Sequence, residues 1–224
     1  MSHSNVSWPA LRMLVLFFAI GLGLCGFGPN STLAQEKPFK LVVFGDSLTA
    51  GYRLPENAGF TSVLEAELRK SGRKVDVVNA SVSGDTASGG LARLDWALGD
   101  GADAVLVELG ANDMLRGIDP ARTEAALDEI IRRIKAKGAK VLLAGMVAAP
   151  GMGKAYEQKF NAIYDTLAKK HAVALYPFFL DGVATNKSLN LGDGIHPNEA
   201  GVKAIVENIM PAVIKLIDGD KPVR

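Results

Sequence analysis

Histidine is scarce in this chain, and it is the natural place to look for chemistry. The 224 residues hold three, of which His3 lies in an apolar leader, leaving His171 and His196. His196 sits in Asp193-Gly194-Ile195-His196-Pro197. Pro197 steers His196 away from helical angles. A carboxylate three residues back can reach the imidazole Nδ1–H, which leaves Nε2 free to accept a proton. The same five residues also read as an ordinary loop, with Asp193 in a turn and Pro197 opening a helix. His171 follows Lys169 and Lys170 at the end of a helical run, where a cation suits the helix dipole. With no carboxylate near it in sequence, a solvent-facing helix end is expected there.

A base needs a nucleophile. Serine attacks at neutral pH only beside a base, and a tight turn at a strand end exposes its Oγ while leaving backbone N–H groups unpaired. Ser47, in Gly45-Asp46-Ser47-Leu48, suits that position. The alternative is that Asp46 or Ser47 caps a short helix. No Gly-x-Ser-x-Gly occurs, so the nucleophile elbow of common α/β-hydrolases is missing. Acyl transfer also needs donors aimed at a developing oxyanion. The Ser47 N–H, the Gly84 N–H and the Asn112 amide could supply them, although singly Gly84 reads as a turn glycine and Asn112 as a polar loop residue. Zinc would want three or four ligands, usually with more His or Cys than are available here, so no metal is expected.

The elements that must position these residues follow from the hydrophobic pattern. Continuous apolar runs at Lys40–Phe44, Val75–Asn79, Ala104–Leu109, Lys140–Met146 and Val173–Tyr176 predict five strands covered on both faces. Between them, Leu127, Ile130, Ile131 and Ile134 repeat at helical spacing, as do Phe160, Ile163, Tyr164 and Leu167. A last helix is expected from about Glu199 to Ile217, and Gly72 and Gly138 stand where helices should stop. Such alternation predicts an α/β fold with a mostly parallel sheet and helices on both faces. Ligands in such folds lie beyond the carboxyl ends of the strands. Ser47, Gly84 and Asn112 each follow a different strand, and Asp193 and His196 follow the last, so all should converge on one end.

Residues 1–34 differ from the rest. Their single charge is Arg12, followed by the apolar run Met13–Phe27 and small or polar residues up to Ala34. That is the three-part pattern of a secretory signal, and the run is shorter than the roughly 18–20 residues a spanning helix needs. A cleaved signal at 1–34 and a catalytic domain at 35–224 are therefore expected, with a periplasmic location and no stable membrane anchor. Removing 34 of the 224 residues leaves 190, with 24 basic and 24 acidic side chains and no cysteine, since Cys25 leaves with the signal. A neutral chain without a basic stripe argues against a nucleic-acid partner.

Taken together, the four blocks resemble the SGNH or GDSL hydrolases across essentially the whole mature chain. They are Gly45-Asp46-Ser47-Leu48, Gly84 within Ser83-Gly84-Asp85-Thr86, Gly110-Ala111-Asn112-Asp113 and Asp193–Pro197, in that family's order. The longer runs Gly45–Leu54, Asn79–Thr86 with Leu91-Ala92-Arg93-Leu94, and Leu106–Arg116 are similar to its secreted thioesterase I, arylesterase and lysophospholipase branch. The resemblance implies a flavodoxin-like three-layer α/β/α sandwich and a Ser47-His196-Asp193 triad. It also implies an oxyanion hole of Ser47, Gly84 and Asn112, and no cofactor. The implied substrates are small acyl esters or thioesters. Met114, Leu115 and Ile118, with Met152, could line an apolar acyl site, whereas Met146, inside a strand, suits the core. Around Val147–Tyr156 the chain carries Ala148-Ala149-Pro150-Gly151-Met152-Gly153 in place of that branch's more polar loop, so substrate preference stays open. Deacetylation of cell-wall or polymer sugars on the same frame is one alternative, and a flavin- or phosphate-binding module another.

The leader pattern has a direct consequence: the exported protein should begin at Gln35. Intact-mass measurement on the soluble protein checks this, and a mass that retains residues 1–34 would exclude cleavage there.

Overall fold

The structure, a computed structural model, describes residues 37–219. The expected signal segment, 1–34, lies outside the described residues. Five strands form one all-parallel sheet: β1 (Phe39–Gly45), β2 (Val75–Asn79), β3 (Ala104–Glu108), β4 (Lys140–Ala144) and β5 (Ala174–Tyr176). Their spatial order is β2-β1-β3-β4-β5. β3 is buried at every position and β4 at all but its first, which explains their unbroken Val and Leu content.

The described residues also form seven α-helices: α1 (Ser47–Ala50), α2 (Phe60–Lys70), α3 (Ala87–Ala97), α4 (Ala111–Leu115), α5 (Pro120–Ala136), α6 (Lys154–His171) and α7 (Glu199–Asp218). α2 packs on α7 in one layer, while α3, α5 and α6 pack in series in the other. The three-layer α/β/α expectation is met. Each long helix turns its apolar stripe inward. Leu127, Ile130, Ile131 and Ile134 of α5 are fully buried, as are Phe160 and Leu167 of α6. Gly72 and Gly138 end α2 and α5 with positive φ, as their positions predict.

Two expected strands end early. β4 stops at Ala144, because Gly145 turns to bond the outflow of β5: its N–H donates to the Tyr176 carbonyl (2.7 Å) and its carbonyl accepts from Phe179 N–H (2.8 Å). Met146 then leaves the sheet, and β3 ends at Glu108 rather than Leu109. His171 is also placed differently. It does end α6, but its ring is largely covered, with Nε2 2.6 Å from Asp128 Oδ1 on α5. The carboxylate that sequence proximity does not reveal arrives from 43 residues away.

The stretch between β5 and α7, residues 177–198, is long and must be fastened if it is to hold a site. Asn190 does much of this. Buried, it donates from Nδ2 to the carbonyls of Val183 (2.7 Å) and Asn186 (2.8 Å). Asn198 caps α7 through Gly201 N–H (3.0 Å) and reaches back to the Ser188 carbonyl (2.9 Å). Asn190→Ala should remove two hydrogen bonds, leaving the Val183 and Asn186 carbonyls with only their backbone donors, Asn186 N–H and Leu189 N–H, and cost about 1–3 kcal/mol. Urea unfolding should show this as a lower midpoint at unchanged slope.

Candidate active site

The carboxyl ends of β1, β2 and β3 and the turn before α7 meet, as the topology requires. β1 delivers Asp46 and Ser47. Asp46 caps α1, its Oδ1 accepting from Leu48 N–H (3.0 Å), so the capping alternative for this turn also holds. The cap leaves the Ser47 side chain facing His196: Nε2 lies 2.9 Å from Ser47 Oγ, across 149 residues of sequence. The other ring nitrogen, Nδ1, is 2.9 Å from Asp193 Oδ2.

Asp193 is itself held locally. Its Oδ1 accepts from the N–H groups of His196 (3.0 Å) and Ile195 (2.9 Å). Those backbone donors, with the imidazole, hold its carboxyl down at about 2. It is therefore ionised at any working pH and favours the tautomer with a proton on Nδ1 and a lone pair on Nε2. The Tyr52 ring lies against the imidazole, centroids 4.4 Å apart and planes tilted by 38°. Arg53 Cζ lies 5.1 Å from the centre of that tyrosine ring. Tyr52 went unrecognised in the sequence; only its place five residues after Ser47 could have pointed to it.

The three expected oxyanion donors stand on three separate elements. Gly84 follows β2 with φ +88°, a backbone region that L side chains rarely adopt. Its carbonyl accepts from Arg116 Nη2 (2.7 Å), which fastens this loop to the end of α4. Arg93 fastens it from below, donating to the carbonyls of Ala80 (2.6 Å) and Gly45 (3.1 Å) and pairing with Asp85. Asn112 lies on α4 rather than in a loop, and its Nδ2 donates to Asp46 Oδ2 (2.9 Å). One of its two amide hydrogens is thus committed to Asp46, and the other is free for a ligand. Asp46 is completely buried, and desolvation drives its carboxyl up to about 6 against the pull of the Leu48 and Asn112 donors.

Beside Ser47 and His196 runs a groove of about 420 Å3. Met114, Leu115, Met146, Phe178, Leu180 and Ile195 supply much of its apolar wall. Of the expected lining residues, Met114 and Leu115 are present, whereas Ile118 and Met152 are not among them. Ile118 sits one turn beyond α4, where its carbonyl accepts from Tyr156 O–H (3.0 Å), and Met152 packs partly buried against the core. Met146 belongs to both groove and core, being only 3 % exposed. The apolar loop after β4 forms the wall because its backbone is pinned: Ala148 N–H donates to Asn161 Oδ1 (2.8 Å) and Ala149 N–H to Met114 Sδ (3.4 Å).

Residues 43–204 match the GDSL-like lipase/acylhydrolase family. The chain is 39 % identical over 206 residues to an arylesterase of Vibrio mimicus, covering 92 % of this chain and 98 % of that protein. It is 40 % identical over 181 residues to thioesterase 1/protease 1/lysophospholipase L1 of Escherichia coli K12, covering 80 % and 86 %. A crystal structure of TesA, 40 % identical, superposes with a TM-score of 0.76 over 79 % of this chain and 99 % of that one.

The raised Asp46 carboxyl has a measurable cost. In the unfolded chain it ionises near 3.8 and in the folded protein near 6, so between those values the native state holds the extra proton and stability falls as pH rises. Above about pH 6 the loss is complete, at roughly 3 kcal/mol for this shift. Asp46→Asn should escape it. The stability of Asp46→Asn relative to wild type should rise from pH 4 to pH 6 and stay level above, as followed by urea unfolding at each pH.

Proposed function

Because the chain belongs to the GDSL-like lipase/acylhydrolase family, we propose that it hydrolyses carboxylic esters and acyl thioesters by a two-step serine mechanism. The observation that carries this reading is the relay Asp193–His196–Ser47, two contacts of 2.9 Å, opening onto an apolar groove. In the first step His196 Nε2 takes the Ser47 proton as Oγ attacks the acyl carbonyl. The carbonyl oxygen becomes an oxyanion held by the Ser47 and Gly84 N–H groups and the free Asn112 amide hydrogen. When the tetrahedral centre collapses, His196 gives its proton to the leaving alkoxide or thiolate, and Ser47 keeps the acyl group. His196 then deprotonates water as it attacks the acyl-enzyme, and returns that proton to Ser47 Oγ when the second tetrahedral centre collapses and the acid leaves.

The groove favours acyl chains over sugars. A carbohydrate would have to desolvate its hydroxyls against Met114, Leu115, Met146 and Phe178 with few partners to replace water. An alkyl chain gains from the same burial, up to about 0.8 kcal/mol or fourfold in kcat/KM per methylene. p-Nitrophenyl esters of rising length test this. kcat/KM should climb from acetate to longer acyl chains, and a maximum at acetate would favour the deacetylase reading instead.

The sharpest test concerns Asn112. Its donor acts on charge that exists only as the tetrahedral centre forms, so its loss should spare binding and damage chemistry. Asn112→Ala should lower kcat by about 10²–10³-fold with KM nearly unchanged. Asn112→Asp, which places a carboxylate beside the oxyanion, should be worse. Normal kcat in either folded variant would remove Asn112 from the oxyanion hole, while fluorophosphonate labelling of Ser47 would still report on the nucleophile separately.

A further inference from the structure

Glu108 is a fully buried carboxyl that the chemistry above does not use. It ends β3, two residues before the turn into α4. Its Oε2 lies 3.2 Å from Thr49 Oγ1 and 3.4 Å from Asp46 N, and its Oε1 has no hydrogen-bond partner. Among the described residues no cation pairs with it. Arg93, the cation fastened to the end of β1 and the turn after β2, spends its donors on Asp85 and on the carbonyls of Ala80 and Gly45. The titratable groups around it are no help. Asp46 is a second acid, and the Tyr164 hydroxyl on α6 donates to the Leu109 carbonyl (2.9 Å). Asp113 on α4 is occupied by Ala87 N–H and Thr123 O–H.

The hydroxyls beside Glu108 indicate where the protons are. Ser81 Oγ lies 3.3 Å from the Val43 carbonyl, which can only accept. Thr49 Oγ1 lies 2.8 Å from Ser81 Oγ. If Ser81 donates to Val43 and Thr49 donates to Ser81, a Thr49 lone pair faces Glu108, and a protonated carboxyl fills it. All the hydroxyls are then satisfied. Reversing Thr49 towards Glu108 requires an anion with one bare oxygen, buried without a cation beside a second carboxyl. Asp46, by contrast, has a donor on each oxygen, the Leu48 N–H and the Asn112 amide. The single negative charge of the pair belongs there.

We propose that Glu108 is kept as a neutral acid and serves as a positioning residue, supporting the Asp46 turn so that the Asp46 carboxylate aims the Asn112 amide at the oxyanion. This rests on the reading of Asn112 as an oxyanion donor. Burial, and then the neighbouring Asp46 charge, push the Glu108 carboxyl well above the usual carboxylate range, in agreement with the geometry. Glu108 touches no substrate. It acts through Asp46 and then Asn112.

Two measurements test the proposal. Infrared spectra at pH 8 should show the C=O stretch of an un-ionised carboxylic acid in the wild-type protein, and Glu108→Gln should remove it. An unchanged spectrum would overturn the proposal whatever the kinetics. In turnover, Glu108→Ala should lower kcat about tenfold or more at unchanged KM, and Glu108→Gln, which is neutral and whose amide oxygen can still accept from Asp46 N–H, should restore it to within about twofold. In the Asn112→Ala background, Glu108→Ala should cost little further, because its effect runs through that amide. The same full loss in both backgrounds, or a change in KM alone, would refute the positioning role. If Glu108→Ala does not fold, Glu108→Met, of similar length, carries the same comparison. Should Asn112→Ala alone leave kcat untouched, the oxyanion reading fails, and the infrared band still decides the protonation of Glu108.

Discussion

Parallel pairing of β1 with β3 sets Gly45 opposite Glu108, and the site depends on that register. It puts the turn after β1 beside the turn after β3, so that Asp46 and Asn112, 66 residues apart, can share a hydrogen bond. It also demands glycine at 45. A Cβ there would come within 2.2 Å of Thr49 Oγ1 and 2.8 Å of Glu108 Oε2. The strand ends can approach only because one of them has no side chain. A slip of one residue would turn Glu108 to the opposite face and take its carboxyl away from Thr49 and the Asp46 N–H.

The other half of the site is assembled on a different principle. Asp193 and His196 are neighbours in sequence, and their geometry is settled within one turn by the two backbone N–H groups that Asp193 accepts. That turn must then be carried to Ser47. The carrier is the fastened loop, with its paired Asn190 and Pro197 and the close seating of Gly201 against the Leu189 carbonyl, which anchors the start of α7. A locally rigid pair is thus delivered by a long connection, whereas Ser47, Gly84 and Asn112 are delivered by the strand ends of the sheet itself.

Electrostatics divide the site in the same way. The ionised Asp193 lies near the surface, where water and backbone donors stabilise its charge. Asp46 and Glu108 lie beneath the Ser47 turn, away from water, where one charge can be stabilised by the available donors and a second cannot. The groove on the far side of Ser47 is apolar; under the proposed mechanism, a wall of that kind strengthens each oxyanion donor relative to solvent.

Much of this was legible in the sequence. The unbroken apolar runs specify strands buried on both faces, and the helical spacing of Leu127, Ile130, Ile131 and Ile134 specifies the inward face of α5. Both are short-range periodicities that packing then satisfies. The Asp193–His196 pair was also legible, since its chemistry needs only three residues of chain. What the sequence could not reveal is whatever depends on the register between distant strands or on where a loop comes to rest. The burial of Asp46, the contact of Tyr52 with the imidazole, the Asp128 partner of His171 and the absence of Ile118 and Met152 from the groove wall are all of this kind. Glu108 is the extreme case: in sequence it is one acid at the end of an apolar strand. Only the packing of β1, α1 and the turn after β2 around it removes its water and every cation, and so decides its protonation state.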